Sequence, residues 1–175
     1  MDTSRLFRHL TMTSSRVRRA FSASTLKAIE QSIRASETHH AGELRFIVEG
    51  ALDGAPLLRG QTARERAIEL FARLHVWDTE HNNGVLIYVL LADRRVEIVA
   101  DRGIHARAGA SAWGLICRGM ETRFAAGDFE AGAALGIEAV TRLLTCHFPQ
   151  QLDDRNELPD TPVVLDREVI LRVGA

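Results

Sequence analysis

The segment from Val85 to Ala92 constrains the fold more than any other part of the chain. It is apolar at every position, so a strand built from it needs cover on both faces. Asp93 and Arg94 then make a short connection to residues 95–101, which place apolar side chains at alternate positions. A connection this short requires the two strands to be antiparallel. The pattern therefore predicts a buried central strand followed by a hairpin partner.

The region before this hairpin alternates helical and strand patterns. Apolar residues at helical spacing predict one helix over residues 24–37 and another over residues 62–75. Ser22 or Ser24 can cap the first helix, and Thr62 with Glu65 has the spacing of a capping box for the second. Residues 43–52 alternate and predict a strand between the two helices. Because a helical crossover joins this strand to the apolar one, the two are predicted to be parallel.

Two helices are predicted after the hairpin. An apolar stripe from Trp113 to Phe124 indicates the first, which ends at Gly127, and Asp128 is placed to cap the second, which runs to about His147. The order of elements predicts an α/β fold, a three-layer α/β/α sandwich around a small mixed sheet. The sheet consists of a parallel pair plus an antiparallel hairpin strand.

Three parts of the chain are expected: a basic helical arm over residues 1–23, the sandwich domain over 24–148 and a tail over 149–175. The sequence of the arm favours a helix that packs through Leu6, Phe7 and Leu10 and leaves its basic side chains in solvent. Its alternative is a basic segment that contacts acidic lipid or resembles a transit peptide. The tail is expected to be either a wrapping arm or partly disordered. The basic residues of the arm are Arg5, Arg8, Arg16, Arg18 and Arg19.

Composition narrows the classes of protein. With 46% hydrophobic and 26% charged residues and a net charge of −1, the chain is typical of a globular protein, and bulk charge favours neither nucleic acid nor membrane. No apolar run is long enough to span a bilayer, and no secretion signal is recognisable. Cys117 and Cys146 fall in helical patterns and are expected to be buried, reduced thiols. We therefore expect a cytoplasmic protein, either free or peripheral to the membrane, with no nucleic-acid partner and no transmembrane segment.

Polar residues are predicted to meet at one edge of the sheet. Both parallel strands begin at this edge and the hairpin partner ends there, so the loops around residues 39–43, 78–83 and 101–105 come together. Carboxylate and amide or carbonyl oxygens suit Ca²⁺ or Mg²⁺, whereas imidazoles shift the preference toward Zn²⁺ or Mn²⁺. His39, Arg102 and His105 are expected nearby. The candidate metal ligands are His40, Glu43, Asp78, Glu80, His81, Asn82, Asn83 and Asp101.

The expected ion is Ca²⁺ first, with Zn²⁺ or Mg²⁺ as alternatives. A plain structural interpretation stands beside this hypothesis, because Asn-Gly is a turn signal and histidines after a helix interact with its dipole. The motifs of P-loop enzymes, serine hydrolases and zinc proteases (GxxxxGK[ST], GxSxG and HExxH) do not occur in the sequence. No catalytic residue is assigned on this basis.

Several motifs resemble the TPM domain, a family named for thylakoid lumen, photosystem II repair and nematode membrane proteins. They are Asn82-Asn83-Gly84, the apolar strand, Asp93-Arg94-Arg95 and Asp101-Arg102-Gly103. Residues 124–132 are similar to the family's F-x-x-G-[DN]-[YF]-x-x-G element. The resemblance covers about residues 24–148 and implies the α/β/α sandwich predicted above. It also implies metal binding or phosphatase activity for some members, and maintenance of membrane proteins for others.

The chain departs from the family in three respects. Members are often exported and end in a transmembrane helix, and neither feature is recognisable here. Many carry paired aspartates just before the first helix, where this chain has Phe21-Ser22-Ala23-Ser24. The chain therefore looks like a cytosolic branch. Two functions follow: a module that binds a divalent cation and acts with a membrane-associated partner in envelope or membrane-protein maintenance, or a metal-assisted phosphatase acting on phosphate monoesters.

Overall fold

The computed structural model describes residues 2–150 and 156–166. Its strands are β1 (Leu44–Glu49), β2 (Val85–Leu90), β3 (Arg95–Ala100) and β4 (Val163–Leu165). Its helices are α1 (Thr3–Thr11), α2 (Ser14–Ala20), α3 (Ala23–Glu37), α4 (Gly54–Leu58), α5 (Ala63–Arg73), α6 (Arg102–Ala108), α7 (Ala110–Ala125) and α8 (Phe129–His147). None of the helices in the described ranges is long and apolar enough to cross a membrane.

The strands form a four-stranded sheet in the order β3-β2-β1-β4. β1 is parallel to β2, and β2 is antiparallel to β3, so the predicted parallel pair and hairpin are confirmed. β4 comes from the tail and pairs in parallel with the second half of β1. The sequence pattern did not predict this strand. The end of the tail, residues 167–175, lies outside the described residues.

Helices cover both faces of the sheet. One face packs on α3, α7 and α8, through buried side chains that include Ile33, Trp113 and Val140. The other packs on α5, with Ala67 and Leu70 in its core. The three-layer sandwich is confirmed. β2 lies between two other strands, and all six of its side chains are buried, as its apolar sequence predicts.

The helix ends agree with the sequence signals in part. Thr62 and Glu65 form both bonds of the predicted capping box, and Ser22 caps α3 by accepting a hydrogen bond from the Thr25 N–H. Asp128 is the N-cap residue of α8, as predicted, but its side chain makes no capping hydrogen bond. Its carboxylate lies 3.8 Å from the Arg123 guanidinium instead. The short helix α6 was not predicted.

The N-terminal arm docks through polar residues. Leu6 is partly buried, but Phe7 and Leu10 are 68% and 56% exposed, so the prediction that they pack is wrong. His9 is fully buried: its Nδ1 accepts the Leu52 N–H at 3.0 Å, and its Nε2 lies 3.0 Å from Asp93. Asp93 in the hairpin turn faces α1. The polar face of α1 therefore packs inward, where Arg5 and His9 bond to the Asp93 carboxylate.

The two cysteines differ in burial. Cys117 is partly buried, and burial, with Glu97 and Glu121 nearby, raises the pKa of its thiol to about 12. Cys146 is exposed near the end of α8, so the expectation that it is buried is wrong. Helical periodicity correctly predicts that both cysteines lie on helices. It does not show that Cys146 lies on the solvent-exposed face of α8.

Candidate functional site

The predicted edge exists, and it is built from the loops before β1 and β2 and the loop after β3. The Val85 N–H donates to the Glu43 carbonyl, and the Asp101 N–H donates to the Gly84 carbonyl at 2.9 Å. The Ile104 N–H donates to the Asn82 carbonyl at 3.3 Å. These bonds continue the sheet ladder into the loops. Strand polarity alone therefore brings the three predicted loops together.

Glu43 at this edge holds the tail. Its carboxylate accepts the backbone N–H groups of Glu157 and Leu158, each at 3.0 Å. Glu157 in turn accepts the Glu80 N–H at 3.2 Å. The sequence presented Glu43 as a metal ligand, but the structure engages both of its carboxylate oxygens in these bonds to the tail.

His40 is buried and electrically neutral. Its Nδ1 accepts the Gly42 N–H at 3.2 Å, and burial lowers the pKa of the imidazole to about 4. The neutral ring therefore carries its proton on Nε2, and this nitrogen has no hydrogen-bond partner among the described residues. A metal would have to displace that proton, so the ring is poorly prepared to be a ligand.

Asn83 and Asp101 each hold one buried oxygen without a partner. The Asn83 amide donates to the Ala41 carbonyl at 2.6 Å, which leaves its Oδ1 unbonded within the described chain. Asp101 accepts the Arg102 N–H at 2.6 Å through Oδ1 and so caps α6, whereas its Oδ2 has no partner in the same region. Asp101 is only 6% exposed. Both oxygens can accept a donor or a cation.

Backbone carbonyls crowd the same place. A Cβ on Gly103 would lie 2.5 Å from the Asn82 carbonyl oxygen and 3.1 Å from that of His81. Asn82 itself adopts a left-handed conformation with φ of 52°. Only glycine at position 103 allows α6 to begin this close to the loop. The edge is thus rich in oxygen atoms, and Oδ2 of Asp101 is a buried carboxylate oxygen with no partner in the described part of the chain.

The other loop residues differ from Asn83 and Asp101 in burial. The side chains of His39, Asp78, Glu80, His81, Arg102 and His105 are exposed. Within residues 2–150 and 156–166, no group of three or more His, Cys, Asp or Glu residues could hold a metal ion. The predicted ligands therefore do not form one shell of acidic and imidazole groups. What the fold brings together is the backbone of the loops that carry Asn83 and Asp101, through the bonds from Asp101 to Gly84 and from Ile104 to Asn82.

An acidic pair beside this edge was not predicted. Burial, with Asp160 and Glu43 nearby, raises the pKa of Glu37 to about 9. Asn156 donates to Glu37 at 3.1 Å and to Asp160 at 2.6 Å, and a cavity of about 310 Å³ opens beside them. Asp160 belongs to the tail, whose return to the sheet no local pattern indicates. The raised pKa favours the protonated form of Glu37 at neutral pH, and the bond from Asn156 ties Glu37 to the tail.

The sequence model of the TPM domain matches residues 17–143, which is more than half of the chain. This chain belongs to the TPM domain family. The resemblance carried by the loop, hairpin and α8 motifs is thereby confirmed. A search of curated proteins finds no match.

Two solved structures are similar to this TPM domain. The BA42 protein from the psychrophilic bacterium Bizionia argentinensis is 31% identical, with a TM-score of 0.70 over 82% of this chain and 94% of that one. The N-terminal domain of a P. gingivalis protein is 20% identical, with a TM-score of 0.59 over 74% of this chain and 82% of that one, and so shares the fold.

Proposed function

We propose that this TPM-domain chain binds a divalent cation at Asn83 and Asp101 and acts with a membrane-associated partner in envelope or membrane-protein maintenance. The observation that supports cation binding is the buried Oδ2 of Asp101, which has no partner among residues 2–150 and 156–166. A buried carboxylate oxygen without a donor is costly, and a cation would remove that cost. The resemblance to TPM proteins that bind metals supports the same proposal.

The chemistry of the edge favours Ca²⁺. Carboxylate, amide and carbonyl oxygens are hard ligands, and they are available here from Asp101, Asn83 and the loop around Asn82. Zn²⁺ would need an imidazole, and His40 is the buried one, with its proton on the nitrogen that would coordinate. With a single carboxylate the affinity belongs at the weak end of the range for Ca²⁺ sites, with a Kd of about 10⁻⁴–10⁻³ M.

Asp101→Asn tests the cation site without disturbing the helix that Asp101 caps. Asparagine is as good a capping residue as aspartate, so α6 should begin at the same residue. At a Ca²⁺ concentration about tenfold above its Kd, the wild type should gain about 1.4 kcal/mol in unfolding free energy. That gain corresponds to a rise in Tm of about 4 °C. In Asp101→Asn the rise should fall below about 1 °C.

Asp128→Asn is the matched control, since this aspartate is exposed and far from the sheet edge in sequence. It should retain the full rise in Tm. An equal rise in Asp101→Asn would place the cation elsewhere. If millimolar Ca²⁺, Mg²⁺ and Zn²⁺ all leave the wild-type Tm unchanged, cation binding is excluded and Asp101 acts only as a helix cap.

The alternative function, a metal-assisted phosphatase acting on phosphate monoesters, requires the same ion to activate a water molecule. Hydrolysis of p-nitrophenyl phosphate is the simplest assay. If a chelator stops the turnover and Asp101→Asn also stops it, the chain is a phosphatase and the non-catalytic proposal is wrong. Turnover that persists under both conditions belongs to a contaminating enzyme.

The docked arm supports the membrane part of the proposal. Phe7 and Leu10 project from α1 into solvent, and Arg16, Arg18 and Arg19 on α2 form no ion pair within the described chain. An arm that combines exposed apolar side chains with unpaired arginines has the composition of a segment that contacts anionic lipid. The arm can therefore be packed against the domain and still present this surface.

Sedimentation with lipid vesicles tests this surface. The full chain should pellet with vesicles that contain phosphatidylglycerol, because each arginine near an anionic surface contributes about 1 kcal/mol. Salt at about 0.5 M should release it, since screening shortens the range of the attraction. The double variant Phe7→Ser, Leu10→Ser should pellet less, and the control Leu58→Ser, Ile68→Ser, at exposed positions elsewhere, should pellet like the wild type. A wild type that stays in the supernatant would remove the peripheral-membrane part of the proposal.

A further inference from the structure

A second cavity lies at the opposite edge of the sheet, where the parallel strands β1 and β2 end. It has a volume of about 380 Å³ and is bounded by the ends of β2 and α7, the start of α8 and the arm. In open α/β sheets, ligands bind outside the carboxyl ends of the parallel strands. The cation proposal concerns the other edge, so nothing yet accounts for this cavity.

The inner wall of the cavity is apolar and rigid. Phe124 and Phe129 line it, and their rings are stacked with centroids 5.4 Å apart. Phe21 packs edge-on against Phe124 at 5.8 Å from behind. Met12 and Leu91 complete the apolar lining. Three mutually packed aromatic rings hold this wall in one arrangement, which favours a pre-formed pocket.

The charged lining of the cavity is unbalanced. Arg95 lies 3.7 Å from Glu121, whose carboxylate also accepts the Val96 N–H at 3.0 Å. Arg16 and Arg94 also line the cavity, and neither forms an ion pair within residues 2–150 and 156–166. Arg94 is held at the hairpin in a left-handed conformation with φ of 53°. Two unpaired guanidinium groups therefore accompany an apolar wall.

We propose that this cavity binds a small amphiphilic carboxylate, with its anionic headgroup between Arg16 and Arg94 and its apolar chain against Phe124 and Phe129. Guanidinium groups recognise carboxylates through charge-assisted hydrogen bonds. A water molecule occupies roughly 30 Å³ in the liquid, so the cavity has room for about a dozen water molecules. A ligand of about a dozen heavy atoms would fill it. Decanoate has this size and this chemistry.

Monomeric decanoate is the probe, and isothermal titration calorimetry on the full chain is the measurement. Decanol keeps the chain without the charge, and acetate keeps the charge without the chain. Decanoate should bind about tenfold more tightly than decanol, as charge-assisted hydrogen bonds contribute on this scale, and acetate should not bind detectably. Arg16→Glu and Arg94→Glu should each weaken decanoate binding about tenfold.

Arg59→Glu is the matched control, because it makes the same change of charge at an exposed position outside the cavity. It should bind decanoate like the wild type. Undetectable binding of decanoate, equal affinity for decanol, or equal weakening in Arg59→Glu would each overturn the proposal. Melting curves of all the variants confirm that each is folded. Vesicles that compete with decanoate in the wild type but not in Arg94→Glu would show that bilayer lipid, not the monomer, is the ligand.

Discussion

Ile87→Asp should prevent the chain from folding. Ile87 lies in the middle of β2, is fully buried, and pairs with Phe46 on one side and Ile98 on the other. An aspartate there has no donor or cation to meet its charge, so the cost is about 5 kcal/mol or more. That is comparable to the whole stability of a typical domain, about 5–15 kcal/mol. Circular dichroism should show no cooperative thermal transition.

Ile68→Asp provides the control for this experiment, since it makes the same substitution on the exposed side of α5. Its unfolding free energy should stay within about 0.5 kcal/mol of the wild type. A variant Ile87→Asp that melts cooperatively near the wild-type Tm would show that β2 is not the covered central strand.

The position of β2 could be predicted because the information is local. An unbroken apolar run needs cover on both faces, and a two-residue polar step after it needs a hairpin. The capping box at Thr62 is equally local. These signals were enough to give the layers, the parallel pair and the edge at which the loops meet.

Contacts between distant segments could not be predicted in this way. The three residues of β4 are too few for a strand pattern, and their partner lies more than a hundred residues earlier in the chain. The docking of His9 on Asp93 joins positions 84 residues apart and buries a histidine that helical periodicity would leave in solvent. Local patterns carry no information about which polar groups meet across such distances.

The candidate site shows the same division. Strand polarity placed the three loops at one edge, but the partners of individual side chains depend on the backbone path within each loop. Glu43 is engaged by the returning tail and His40 by the Gly42 N–H. The Asn83 amide nitrogen bonds to Ala41 and one Asp101 oxygen caps α6, which leaves one oxygen of each side chain unbonded among the described residues.

Asp93 connects the arm to the hairpin, and removing its side chain should destabilise the fold strongly. Arg5 donates to both of its carboxylate oxygens at 2.8–3.1 Å, and Nε2 of His9 lies 3.0 Å from Oδ1. Because Nδ1 of His9 accepts the Leu52 N–H, the Nε2 proton faces the carboxylate. Burial alone would raise the pKa of Asp93, but hydrogen bonds from His9 and Arg5 hold it well below its usual range.

Asp93→Ala should therefore lower the unfolding free energy at pH 7 by about 3 kcal/mol, because it leaves His9 buried without its acceptor and Arg5 without its charge partner. The fall in Tm should be about 6–12 °C. Asp128→Ala, an exposed aspartate whose nearest guanidinium is 3.8 Å away, should change the free energy by less than about 0.5 kcal/mol.

The pH dependence identifies the carboxylate as the cause. A carboxyl whose pKa is lower in the folded chain binds its proton more readily when unfolded, so its stabilisation is complete above the unfolded value of about 3.9. The stabilisation is lost as the pH falls toward the folded pKa. Urea unfolding should therefore show the full difference between wild type and Asp93→Ala at pH 7, and a smaller one at pH 3. If the difference in unfolding free energy is the same at pH 3 and pH 7, the charge of Asp93 is not what stabilises the hairpin. The other contacts of α1 would then hold the arm in place.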